Sequence, residues 1–227
     1  MSENEKGAYG QVLKYTGIFG GVQGLNVIVS LVRNKLAALL LGPAGMGLVS
    51  LFNSTVAFIS QATGFGISMS AVRHISELTE SGDEAQRAYY IKVVRAWSIL
   101  AALLGVLVCV AIGPFLSSYT FAWGNHTLHF ILLSPIVGML AVTGGEMAIL
   151  KGMRRLRPLA LVSVWHVVLA LVITVPLYYF FGETAIVPSL VVMALVQMVL
   201  TLSFSLRLFP LRFLQCRELR SWGRYQQ

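Results

Sequence analysis

Apolar residues run through this chain in long blocks separated by short polar breaks. Six blocks can be drawn, at roughly 15–41, 46–71, 93–116, 128–150, 158–181 and 187–209. Each reaches the ~20 helical residues that a hydrocarbon core of about 30 Å requires. Gly42-Pro-Ala-Gly45 divides the first two, and no charged residue lies between Leu36 and Ala71. The third begins near Lys92 and Arg95 and stops at Pro114. Pro158 falls where a first-turn proline is tolerated, so it opens the fifth helix. Gly182-Glu-Thr turns the chain into the sixth. The predicted fold class is therefore all-α: a polytopic integral membrane protein with six transmembrane helices.

An even number of spans places both termini on one side. The breaks on that side carry Arg73, Arg87, the Lys151–Arg157 cluster and the basic stretch from Arg207 to Arg224. Those on the other side hold only His126 and Glu183, provided Arg33 and Lys35 lie inside the first helix. The positive-inside rule then predicts cytoplasmic termini. Two regions follow: a six-helix transmembrane lobe over 1–209, and a basic tail over 210–227 that alternates apolar residues with arginines and suits the headgroup surface. The segment from Arg73 to Arg87 reads as a polar connector.

Composition sharpens this picture. Hydrophobic residues make up 56% of the 227, charged residues 11%, and the mean hydropathy is +0.76. A soluble domain carries about 25% charged residues, so a water-coated globule is excluded. The formal charge of +8 sits next to apolar blocks, not on an aromatic-interleaved face, which argues against nucleic acid as a partner. Cys109 and Cys216 form no convincing disulfide pair or metal box. The acidic first residues do not resemble a cleavable signal peptide. No metal, cofactor or enzymatic motif stands out, and a non-enzymatic role within the membrane is expected.

Polar residues inside apolar helices are costly and mark cavities, pathways or contacts. In the first block, Asn26, Ser30 and Arg33 continue a stripe from Gln23 along one helical face. Such a stripe fits a cationic wall that receives an anionic solute; the competing reading ends the helix at Val32 and leaves Arg33-Asn34-Lys35 in an outer loop. Lys35 points away from the stripe and can snorkel. Ser50, Asn53, Ala57, Gln61, Gly64 and Ser68 share a face of the second block, suited to close helix packing or to cavity lining. Gly17, Gly20, Gly21 and Gly24 form overlapping GxxxG patterns, and Ser134, Gly138, Ala141 and Gly145 a comparable small stripe; both read as packing. Glu146 fits either proton coupling or pairing with the basic segment at Lys151. His166 fits either proton coupling or a hydrogen-bonded packing role.

Two stretches carry a family likeness. One is Ser30-Leu-Val-Arg-Asn-Lys-Leu-Ala-Ala-Leu-Leu-Leu-Gly-Pro-Ala-Gly-Met-Gly-Leu, continuing to Leu51-Phe-Asn-Ser; the other is Ala148-Ile-Leu-Lys-Gly-Met-Arg-Arg-Leu. With the order of the spans, they make the chain resemble the Wzx-type O-antigen flippases of the multidrug/oligosaccharidyl-lipid/polysaccharide exporter superfamily, over residues 10–210 or so. The resemblance implies movement of an undecaprenyl-diphosphate-linked oligosaccharide across the cytoplasmic (inner) membrane, by alternating access, for O-antigen, lipopolysaccharide or other surface polysaccharide assembly. Arg33 falls where related peptidoglycan-precursor flippases have a cavity arginine, whereas Val27 stands where they have another basic residue.

The expected substrate-binding set is Arg33, Lys35, Asn26, Asn53 and Gln61, with Glu146 and His166 as candidates for proton coupling. The family has twelve to fourteen spans, so this chain matches its N-terminal lobe. The choices are a fragment of a longer product, a decayed gene, or a half-size protein that pairs with a second copy. The expected partners are the lipid-linked oligosaccharide, membrane lipids, and a second lobe or homodimer partner. Rival functions are a cation-coupled multidrug exporter, for which acidic cavity residues are missing from the first two blocks, and a non-transporting membrane scaffold subunit.

Overall fold

A computed structural model describes residues 3–64, 66–120 and 127–208, with side chains described for 20–64, 66–112, 131–155 and 157–208. The tail over 210–227 lies outside the described residues, as do His126 and Cys216, and the surroundings of Gly17 are likewise outside them. The described elements are helical throughout: α1 (Glu3–Gly64), α2 (Ile67–Ser81), α3 (Glu84–Thr120), α4 (Thr127–Gly152), α5 (Leu156–Phe181), a 3-10 turn (Gly182–Ala185) and α6 (Ile186–Leu208).

Among the described residues, four continuous helical stretches are long and apolar enough to cross a membrane: Gly20–Gly64, Glu84–Ile112, Ile131–Gly152 and Arg157–Leu208. This is fewer than the six blocks of the sequence because two stretches each join a pair of blocks. Their 45 and 52 residues correspond to about 68 and 78 Å of ideal helix, more than twice a hydrocarbon core. Each is broken near its middle, the first at Gly42 and the second at the 3-10 turn. Gly42 has φ 67° and ψ −175°, a conformation essentially restricted to glycine.

The chain doubles back there. The arm before Gly42 lines a groove with the end of α5, through Leu36, Leu39 and Leu40. Just after the break, the Cβ position of Gly45 lies 3.7 Å from Glu183 in the α5–α6 turn. Farther along, Thr63 meets Gly105 of α3, and Ser68 of α2 meets Gly144 of α4. The second arm therefore leaves the α5–α6 turn and runs toward the opposite end of α4.

The core is built on that return. Phe52, Val56 and Ile59 of the second arm join Cys109, Leu133, Ile136, Val137, Tyr178 and Ile186 in one buried cluster. The small stripe of α4 packs closely against α3. A Cβ on Gly138 would approach Val106 Cγ2 at 3.0 Å, one on Gly105 would approach Val137 at 2.7 Å, and one on Gly145 would overlap Ser98. Tyr178 and Ser189 hydrogen-bond across the α5–α6 turn at 3.0 Å.

The expected polar connector from Arg73 to Arg87 is corrected by the structure. Its first part is the amphipathic helix α2, which buries Ala71, Ile75 and Leu78 and turns Arg73, His74 and Glu77 outward. Ile75 packs so tightly on Gly152 that a Cβ there would come within 2.7 Å. Gly82, at φ 76°, ends α2, and the Asp83 carboxylate accepts the Gln86 N–H to start α3. On the exposed face Arg73 donates to Glu77 at 3.0 Å, a bond that holds the Glu77 carboxyl below its usual pKa. Helix α3 also runs through Pro114, where the sequence suggested a stop. Prolines are tolerated inside membrane helices because neighbouring groups satisfy the freed carbonyl.

The turn from α4 to α5 is a Schellman motif: Arg155 N–H bonds Leu150 O at 3.1 Å and Arg154 N–H bonds Lys151 O at 3.0 Å. Arg154 occupies the left-handed position at φ 54°, where glycine is usual, and its guanidinium reaches Glu80 of α2. Pro158 lies in the first turn of α5.

Candidate functional site

Helix α1 presents two polar faces, one on each side of Gly42. On the first arm, Asn26, Ser30 and Arg33 are half-buried and share one side of the helix, while Gln23 at its start is exposed. Arg33 lies close enough to His166 of α5 for its charge to act on the imidazole. Asn26 Oδ1 is enclosed without a hydrogen-bond partner among the described residues. The helix continues through Arg33, Asn34 and Lys35 to Leu41, so the reading that placed these three in an outer loop does not hold. Lys35 is exposed on another side of the arm.

On the second arm the two faces are sharply divided. Phe52, Val56, Ile59 and Thr63 are buried, whereas Ser50, Asn53, Ala57 and Gln61 are exposed. The polar face of this arm is thus not a packing seam among the described residues. The same holds for the glycine pattern at the start of α1, since a Cβ added to Gly20, Gly21 or Gly24 would meet nothing within 4 Å. Small-residue stripes with the same spacing have opposite fates here: one is sealed in the α3–α4 seam, the others face outward.

Glu146 and His166 are not brought together. His166 is half-buried on α5, while Glu146 is buried between α3, α4 and α6. Arg95 Nε donates to Glu146 Oε1 at 2.7 Å and a terminal Arg95 nitrogen donates to Oε2 at 3.2 Å. Ser205 of α6 donates to the same carboxylate, and Arg95 also reaches the Ser205 hydroxyl at 3.3 Å. Pairing with Lys151, the structural option drawn from sequence, is replaced by this three-helix cluster, and Lys151 points outward. Arg95 and Ser205 are the residues that sequence reasoning missed. The available signal was that an arginine at the third position of an apolar block and one buried carboxylate each need a partner of opposite charge.

Among the described residues, no group of three His, Cys, Asp or Glu is placed to hold a metal ion. The arrangement offers an arginine and several uncharged hydrogen-bonding side chains on the outer faces of α1, and a self-contained ion pair inside the bundle. The first set can meet an anionic, hydroxyl-rich solute; the second is occupied by its own partners.

No curated protein and no solved structure matches the chain. One family model does, described as "Polysaccharide biosynthesis protein", and it aligns with residues 12–221, nearly the whole sequence. Together with the long apolar helices, that match identifies a multi-pass membrane protein that belongs to the polysaccharide biosynthesis protein family.

Proposed function

We propose that this chain is a six-span lobe of a flippase that moves an undecaprenyl-diphosphate-linked oligosaccharide across the cytoplasmic membrane, in assembly of O-antigen or another surface polysaccharide. Breaking the two long helical stretches at Gly42 and at Gly182–Ala185 gives six spans of ordinary length. The end of the lobe that holds Arg73, Arg87, Lys151, Arg154, Arg155 and Arg157 is then cytoplasmic. The opposite end, where Gly45 meets Glu183, is external. Both termini are cytoplasmic in this arrangement.

The observation that carries the reading is the half-buried Arg33, in line with Asn26 and Ser30. A cation at membrane depth is costly unless it faces water or an anion. A diphosphate supplies the anion, and Asn26, Asn53 and Gln61 supply bonds for sugar hydroxyls. Lys35 adds a second positive charge nearby. A second lobe, in the same polypeptide or from another copy, would complete the cavity wall. His166, within reach of the Arg33 charge, is the better placed of the two candidates for proton coupling, because Glu146 is engaged by Arg95 and Ser205.

The test is Arg33→Ala and Arg33→Lys in the complete transporter, with surface glycan measured on cells and protein level checked in membranes. A charge-assisted bond contributes about 1.5–3 kcal/mol, so export should fall roughly ten- to a hundredfold in Arg33→Ala and less in Arg33→Lys. Undiminished export from Arg33→Ala at normal protein level would refute the assignment.

A further inference from the structure

Exposed aromatic rings within the described spans stand in two kinds of surroundings. Trp97 of α3 and Trp165 of α5, each 51% exposed, lie among apolar neighbours. The residues three and four positions away are Val93, Val94, Leu100 and Ala101 for Trp97, and Leu161, Val162, Val168 and Leu169 for Trp165. Such rings suit hydrocarbon. Phe58, on the second arm of α1, is 74% exposed, and its surroundings differ. At the same steps it has Ser54, Thr55, Gln61 and Ala62, of which only Thr55 is partly covered. Gln61 belongs to the exposed polar face that also carries Asn53. Phe58 precedes Gly64, the end of α1, by six residues, about 9 Å of helix. The ring therefore stands within the span.

Neither acyl chains nor water alone suit that mixture. Acyl chains would leave the exposed Gln61 amide without partners. Water would satisfy the amide, but holding a large apolar ring out into water is unfavourable. A pyranose answers both groups. Its hydroxyls lie around the edge of the sugar ring and exchange hydrogen bonds with amides and hydroxyls. The C–H groups on its face form an apolar, weakly positive patch, which is attracted to the negative face of an aromatic ring. We infer that Phe58 is the platform on which a sugar of the transported glycan stacks, with Gln61 and Ser54 bonding its hydroxyls. The inference rests on the flippase reading and deepens it, by separating recognition of the sugar at Phe58 from recognition of the diphosphate at Arg33.

The experiment uses the full chain in bilayer nanodiscs and two probes: a polyprenyl diphosphate, and the same lipid bearing a linear tetrasaccharide of N-acetylglucosamine. The readout is the ratio of the two affinities, sugar-bearing over bare. The native chain should favour the sugar-bearing lipid. Phe58→Ala and Phe58→Leu should each lower the ratio about five- to tenfold, while Phe58→Tyr and Phe58→Trp, which keep an aromatic face, should retain it. Arg33→Ala should weaken both lipids together and leave the ratio in place. A native ratio in Phe58→Leu would overturn the inference, because apolar bulk alone would then suffice and lipid or another protein surface would cover the position. Equal weakening of both lipids by Phe58→Ala, or a native chain that binds them equally, would overturn it while leaving the flippase reading in place. Failure of the native chain to bind either lipid would overturn both.

Discussion

Glu146 and Arg95 form the most deeply placed ion pair described in the lobe, and a double-mutant cycle should reveal how strongly it binds three helices together. The perturbations are Arg95→Met, Glu146→Leu and the double variant, which keep side-chain volume while removing charge. Each single change strands one buried charge. For buried pairs that step destabilises by about 3–5 kcal/mol, whereas replacing both partners with apolar groups is far milder. The two singles should not be equal. The Glu146 side chain is 5% exposed and the Arg95 side chain 15%, and a stranded arginine can still extend its stem toward headgroups. Arg95→Met should therefore be the worse of the two. The double variant removes both charges together and leaves the Ser205 hydroxyl without them, at about 1 kcal/mol. The coupling energy should exceed ~2 kcal/mol, against about 0.6 kcal/mol for an average interhelical hydrogen bond in a membrane protein.

The lobe contains its own reporter for this measurement. Cys109 is 1% exposed and sealed in the core shared by α1, α3, α4, α5 and α6. With Cys216 changed to serine, maleimide modification of Cys109 during a titration with SDS measures unfolding of the purified chain. Strictly additive effects, with coupling below about 0.5 kcal/mol, would refute the idea that the cluster acts as a clasp.

Two further predictions use the same assay. Gly145→Val should destabilise the lobe by about 1–3 kcal/mol through overpacking against Ser98, because an added Cβ already lies 2.8 Å from Ser98 Cβ; Gly24→Ala, with open space around it, should be neutral or stabilise by up to ~1 kcal/mol, and equal losses at both sites would show the seam to be misplaced. At Arg154, glycine should match or exceed the native residue and alanine should fall below it: Gly relieves the left-handed strain of about 1–2 kcal/mol and loses only an exposed pair with Glu80 worth about 0–1 kcal/mol. Alanine more stable than glycine would refute that account.

How much of this was legible in the sequence varies by feature. The break at Gly42 was, because a Gly-Pro turn between apolar blocks has few other uses. Helix α2 was not: its charges, together with the following Gly-Asp, looked like a connector. Yet Ala71, Ile75 and Leu78 already stood at helical steps of four and three, and Ile75 needed the surface of Gly152, 77 positions later, to become buried. Small-residue stripes were ambiguous for a related reason. One stripe alone says that two helices can approach, without saying that they do. The α3–α4 seam becomes readable only as a pair of stripes. Ser98 and Gly105 are seven apart on α3, Gly138 and Gly145 are seven apart on α4, and the helices meet antiparallel with Ser98 at Gly145 and Gly105 near Gly138. The glycines at 20, 21 and 24 meet no matching stripe in the described lobe.

The polar residues divide on the same principle. Lys151 is five positions from Glu146, yet it lies at the helix end, where its charge reaches the headgroups without help; Arg95, 51 positions away, sits at the depth of the carboxylate. A charge within an apolar helix is neutralised by what shares its depth, and sequence distance does not record depth. Once Arg95, Glu146 and Ser205 have satisfied one another, and Ser98, Ser134, Thr143 and Thr201 have bonded to their own helix carbonyls, the interior needs no further partners for these groups. Of the remaining polar groups named above, Asn26, Arg33, Lys35, Asn53 and Gln61 lie on α1 and His166 on α5. Inside a bilayer, such groups require water, solute or another protein surface. They are therefore the part of the lobe whose chemistry is directed outward, and mutations there should alter transport while the Cys109 unfolding profile stays unchanged.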